Sequence, residues 1–229
     1  MTAMQAYLDR YYCEAAVVAR DCGISIAEVE RLVADGVVPK PSYTVFDDRI
    51  VSAAFGDLPN DGVVPGRYFA PSQCAWIERA RDAAAEATFR ECMTAALAKA
   101  NRLIFRLRDA FDDAGKPTSG LDARLDAMWT HFISGVFGLC VAGADSEWVI
   151  ARKEVLQEKL SELTDSGASV DGLDRDDLSQ LIDDYAAAAM PFAPAEYPRS
   201  SRKRLVDDLR SKLSVKEAAM AVTGKPIHI

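Results

Sequence analysis

The chain has 229 residues, enough for one large domain or two modest ones with a real core, and its 49% hydrophobic and 27% charged residues exclude a disordered protein. A formal net charge of −8 works against nucleic acid and anionic lipid as general partners, because each phosphate contact needs local positive charge. The five cysteines (Cys13, Cys22, Cys74, Cys92, Cys140) are odd in number, widely spaced and without a C-x-x-C, so they read as reduced thiols of a cytoplasmic protein. With two histidines beside them, they form no metal motif, and the sequence calls for no cofactor.

In chain order, residues 1–12 are polar and amphipathic, without the basic start and apolar run of a signal peptide, and Leu8, Tyr11 and Tyr12 give one apolar side. Residues 14–22 predict a second short helix stopped by Gly23. Ser25, with Glu28 three residues on, forms a capping box. Ile26, Val29, Leu32 and Val33 follow at helical spacing, Gly36 takes the position after the helix, and Pro39 and Pro41 forbid its continuation. Residues 43–46 and 50–53 suit two short strands with Asp47-Asp48 at the turn. Residues 55–71, rich in Gly, Pro, Asn and Asp, read as a loop that divides the chain into units 1–66 and 67–229.

Residues 72–113 contain no Gly or Pro. The stripe Phe89, Met93, Leu97, Ala100, Ile104, Leu107 and Phe111 predicts helix as far as Phe111, in one piece or with a break near Ala84. Leu121, Leu125, Met128, Phe132, Val136 and Leu139 form the next stripe. Residues 127–144 lack charge, but no Lys or Arg flanks them as an anchor, so they read as a buried central helix rather than a membrane span. Asp145 or Ser146 caps a helix bearing Val149, Leu156, Leu160 and Leu163. A connector at 164–172 leads to a helix from Asp174 carrying Leu178, Leu181, Tyr185 and Ala189. Residues 190–198 are a Pro-rich link, and the last helices start near Ser201, with a second capping box at 214–217. The fold class expected is all-α: an N-terminal helix-turn-helix, with a minor β wing, packed on a larger helical domain.

The run Val17-Val18-Ala19-Arg20-Asp21-Cys22-Gly23-Ile24-Ser25, the helix to Gly36 and then Val37-Val38-Pro39 resemble the first module of MerR-type regulators. That resemblance implies a recognition helix for the major groove. Where the family pattern places Arg and Thr, however, this chain has Ala27, Glu28 and Glu30. Residues 1–66 hold five basic side chains (Arg10, Arg20, Arg31, Lys40, Arg49) against ten acidic ones, a sign that repels phosphate. The sequence therefore disfavours DNA and favours a structural or protein-contact use. Tyr7-Leu8 with Tyr11-Tyr12, the run from Pro39 to Tyr43, and the run from Trp129 to Cys140 together resemble an uncharacterised bacterial family loosely labelled natural-product-biosynthesis proteins. That resemblance implies a biosynthetic setting and no mechanism.

Two further clusters stand out. Arg199, Arg202, Lys203 and Arg204 are candidates to contact an anionic partner, against the alternative that they pair with the acidic stretch at 145–184. Trp129, His131 and Cys140, with Tyr43, are candidates to line a small-molecule pocket, the glycines at 135 and 138 allowing close approach of backbone or ligand. The paired carboxylates Asp176-Asp177 and Asp183-Asp184 read as a solvated face, and Gly167 to Asp171 falls short of a nucleophile elbow. The function expected is that of a non-enzymatic interaction or accessory protein with a protein partner and no membrane association. The alternatives are a MerR-like transcription regulator and an enzyme or small-molecule binder near His131.

Overall fold

The computed structural model describes residues 1–80, 85–165 and 175–214. Its N-terminal part opens with α1 (Ala3–Tyr11), capped by the Thr2 hydroxyl, which accepts from the Gln5 N–H. A two-residue strand β1 (Cys13–Glu14) precedes α2 (Ala15–Cys22) and α3 (Ile26–Ala34). The Ser25 hydroxyl accepts the Glu28 N–H at 3.1 Å, so the cap read from the sequence does form. Val18, Val29, Leu32, Val33 and Val38 close a small core between the two helices, to which Phe69 and Ile77 contribute from outside the pair.

The all-α expectation is overturned by a five-stranded antiparallel sheet in the order β1-β5-β2-β3-β4. The expected hairpin is present as β2 (Tyr43–Val45) and β3 (Arg49–Ser52). Two more strands, β4 (Gly56–Pro59) and β5 (Gly66–Phe69), lie inside the stretch read as a boundary loop. Glycine and proline in those strands hide them from a propensity reading, yet each sits where a strand tolerates it. Pro59 lies on the edge strand, and β5 is held by partners on both sides, β1 and β2. The sheet buries Tyr43, Val45, Ile50 and Tyr68 against Tyr7, Leu8 and Tyr12, and also against Leu139, Met190 and Phe192 from the far end of the chain.

The helical half contains α4 (Gln73–Ala80), α5 (Ala85–Leu103), α6 (Gly120–Ile133), α7 (Val136–Cys140), α8 (Glu147–Asp165) and α9 (Arg175–Ala188). Residues 201–214 are helical again, with a π turn at Lys203–Asp207. The stripe expected to run as helix to Phe111 stops at Leu103 instead. Buried Asn101 accepts the Leu107 N–H on its side chain at 2.7 Å, and the chain continues in turns from which Leu107 and Phe111 still reach the core. The apolar spacing persists because burial persists, although the backbone has left the helix. The expected central helix is likewise broken. Gly135, at φ +85°, turns the chain between α6 and α7. The expected break near Ala84, most of the 164–172 connector and the capping box at 214–217 fall largely outside the described residues. Among the described residues, no helix is long and apolar enough to cross a membrane.

Candidate functional site

The motif segments that stand apart in the sequence meet along one seam, where the sheet and the α2–α3 pair dock on the helical half. The Lys40 N–H donates to the Ile133 carbonyl at 2.9 Å, and the Ser42 hydroxyl donates to the Gly135 carbonyl at 3.1 Å. Two glycines at the α6–α7 corner are required by contact. A Cβ on Gly135 would lie 2.5 Å from the Lys40 carbonyl oxygen, and one on Gly138 would lie 2.6 Å from Ser42 Oγ. Helix α4 straps the seam together. Gln73 Nε2 donates to the Pro39 carbonyl, Trp76 Nε1 donates to the Ala144 carbonyl, and Arg79 pairs with buried Glu147. Cys74, in the same helix, forms a disulfide with Cys22 at the end of α2, which corrects the reading of five reduced thiols. Between these surfaces lie small cavities of about 10 Å³ beside Ser42 and Gly138 and about 30 Å³ beside Val37 and Arg79, room for a water or two.

Beneath the seam lies a buried cluster of hydroxyls around one carboxyl. The rings of Tyr7, Tyr12 and Tyr43 pack within 5.1–6.2 Å of one another. The Tyr43 hydroxyl donates to Glu196 Oε2 at 2.5 Å, while Tyr7 and Tyr12 share a hydrogen bond and Tyr12 reaches the Gly138 carbonyl. Glu196 is fully buried, and its other oxygen, Oε1, has no hydrogen-bond partner. Burial pushes its carboxyl above the ordinary glutamate range, although Ser52, Tyr43 and Arg199 pull in the opposite direction. Burial likewise raises the Tyr43 phenol far above its usual value, and Tyr7 rises to about 12.

The four pocket candidates do not come together. Tyr43 is the seam residue just described. Trp129 packs on Phe89 and Phe132 in the helical core. His131 is exposed, its ring edge-on to Phe137 at 6.0 Å. Cys140 packs against both the Tyr43 cluster and the helical core, with Lys153 beside it, and burial raises its thiol to about 11 despite the ammonium nearby. Lys153 itself, which the sequence reading missed, is buried with Nζ donating to Glu154 at 2.8 Å and Gln157 at 2.7 Å. Burial alone would lower its pKa. Its partners outweigh that and hold it above the usual lysine value. Its signal was available, since it sits four residues after Val149 and three before Leu156 on the apolar stripe of α8. Glu196 also had one, as a lone carboxyl in the aromatic and Pro-rich run at 190–198.

The basic cluster is largely engaged. Arg202 donates to the Ala186 and Ala189 carbonyls at the end of α9, where a helix has carbonyls to spare. Lys203 pairs with Asp208, Arg204 reaches Ser161, and Arg199 lies over the Phe55 ring. Further along, Arg210 pairs with Asp183, and Asp184 is taken by Arg152. On α3 the outward Arg31 donates to both oxygens of Glu28 and to Asp35, and Glu30 pairs with Arg67. Among the described residues, no group of three or more His, Cys, Asp or Glu side chains is arranged to hold a metal.

A family model described as a family of unknown function (DUF6058) matches residues 85–214, more than half of the chain. Nothing among curated proteins or solved structures matches it.

Proposed function

The chain belongs to the DUF6058 family, and from that premise we propose that it is a non-enzymatic accessory protein whose α2–α3 pair serves protein contact rather than DNA reading. The matched residues begin after α4, so the α2–α3 pair and the sheet lie outside the matched span. The observation that carries the reading is the state of Arg31. It is the one cation on the exposed face of α3, and Glu28 and Asp35 on its own helix already hold it. A helix that enters the major groove offers its cations and amides to phosphates and base edges. Here Glu28, Glu30 and Asp35 outnumber Arg31, so the exposed face is acidic even with its ion pairs made, and a net negative face suits a basic surface on a protein partner. On this reading the resemblance to a MerR-type module reflects a shared packing unit, and the second resemblance is what supports a bacterial biosynthetic setting.

The test is fluorescence anisotropy at low salt with three labelled probes: a random-sequence DNA duplex, a Lys/Arg-rich peptide and an acidic peptide of the same length. We expect binding to the basic peptide alone, weakened in the double variant Glu28→Lys, Glu30→Lys. A duplex signal that disappears in Arg31→Ala would overturn the reading in favour of a DNA-binding regulator.

A further inference from the structure

The pairing of Glu196 with Tyr43 is the one side-chain hydrogen bond in the buried cluster that joins β2 to the segment following α9. The groups facing Glu196 come from every element packed on it: Tyr7 from α1, Tyr12 just after it, Tyr43 from β2, Ser52 from β3, and Arg199 with the Ala193 backbone from its own segment. Arg199 is the cation among them, and it is exposed and stacked on Phe55 rather than bonded to the carboxyl. An ionised carboxylate here would carry a full charge on a buried group with one unpartnered oxygen, and the help it draws from Ser52, Tyr43, Arg199 and the Ala193 backbone is outweighed by burial. Burial of a charge so poorly compensated is far more costly than burial of the neutral acid.

We infer that Glu196 is a proton-operated latch: protonated, it can stay buried where the sheet and the α2–α3 pair dock on the helical half, and ionised, it draws water to its unpartnered oxygen and loosens that docking, although the Tyr43 bond itself favours the charged form. The proton resides on Oε1, because Oε2 accepts from Tyr43, and on ionisation it passes to solvent water with no other bond made or broken. The direction follows from linkage. A carboxyl whose pKa is higher in the folded than in the unfolded protein contributes its full stabilisation below the ordinary glutamate value, and loses it as the pH rises through the folded value. The docked state is therefore favoured by acid and weakened toward alkaline pH. The latch is independent of what the α3 face binds, so it stands or falls separately from the accessory-protein reading.

The experiment compares the wild-type full chain with Glu196→Gln by thermal unfolding and amide hydrogen exchange from about pH 5 to about pH 9, across the range where a buried carboxyl titrates. The wild type should lose several degrees of Tm relative to the Gln variant as the pH rises. Exchange across 43–52 and 193–200, corrected for the intrinsic pH dependence, should quicken at least tenfold in the wild type alone. Parallel Tm curves and unchanged corrected exchange would overturn the latch. If Glu196→Gln does not fold, Tyr43→Phe keeps the ring and removes the bond that favours the ionised form. The wild-type transition should then move to higher pH, and a transition that stays in place would equally overturn the proposal. In either protein, a carboxyl-carbon NMR signal of Glu196 that is already ionised at pH 5 would do the same.

Discussion

Two buried ionisable side chains, one at the seam and one inside the helical half, are treated in opposite ways by the same chain. Lys153 lies between α8 and its neighbours with Glu154 and Gln157 accepting two of its protons, and the Tyr185 hydroxyl closes the network on Gln157 and Ser201. Glu196 has one donor and one orphaned oxygen. Both are buried, so depth cannot be what separates them. The difference is the number of partners. The acceptors around Lys153 favour its charged form, whereas burial with an unpartnered Oε1 disfavours the charged form of Glu196. On the latch proposal, the Lys153 network should be indifferent to pH and the seam should respond to it.

The seam's strongest tie is covalent, so breaking it should produce the largest effect. The Cys22–Cys74 disulfide spans a sequence separation of 52 residues. In the chain-entropy account, closing a loop of that size stabilises by about 4 kcal/mol, an upper figure if the reduced chain retains structure. Cys22→Ser, or wild type in excess reductant, should therefore lower the unfolding free energy by up to that amount in a denaturant titration. The reduced wild type and the Ser variant should coincide. Hydrogen exchange should quicken first in α2 and α4, leaving α8 and α9 near their native protection.

Next in size is the close contact at the corner between α6 and α7. Gly135→Ala forces a side chain into a positive-φ position and places its Cβ against the Lys40 and Pro41 carbonyls. Strain plus overpacking of that kind costs roughly 3 kcal/mol. Neither carbonyl belongs to a flexible side chain that could swing away, so the run at 39–42 must move. A Tm within a degree or two of wild type would show that the seam is looser than its hydrogen bonds imply.

These two sites also show what a sequence can and cannot reveal. The capped helices α2 and α3 were legible because Ser25, Gly23 and Gly36 act on the residues beside them. The strands β4 and β5 were not, because Gly56, Pro59 and Gly66 are poor strand formers, and only neighbouring strands make them strands. Cys22 and Cys74 carry no pairing signal, since their proximity is created by α4 packing on α2. At the candidate site, the glycines at 135 and 138 lie at close contacts with the run at 40–42, while Trp129, His131, Cys140 and Tyr43, read together as pocket residues, are spread over several elements. Trp129 and His131 are two residues apart on one helix, about 200° around its axis, and so face different surroundings. Gly135 then turns Cys140 toward α8. Glu196 was overlooked because an isolated carboxyl in a Pro-rich link looks solvated until tertiary packing encloses it.

The smallest expected effect sharpens the comparison most. Tyr185→Phe removes one hydroxyl from the Lys153 network and leaves Gln157 still accepting from Lys153. Loss of its bonds to Gln157 and Ser201, both of which can keep other partners, costs about 1–2 kcal/mol. That cost should not vary with pH. Lys153 has its folded pKa raised, so its contribution is complete below the ordinary lysine value and fades only as the pH rises through the folded one. From about pH 5 to about pH 9 both Lys153 and the Tyr185 phenol keep their protons, the latter because burial raises it. Chemical-denaturation curves for Tyr185→Phe should therefore run parallel to wild type across that range, displaced by a constant amount. A gap that opens or closes with pH would mean that Lys153 exchanges its proton within the range, and the contrast between a satisfied interior and a titrating seam would fail.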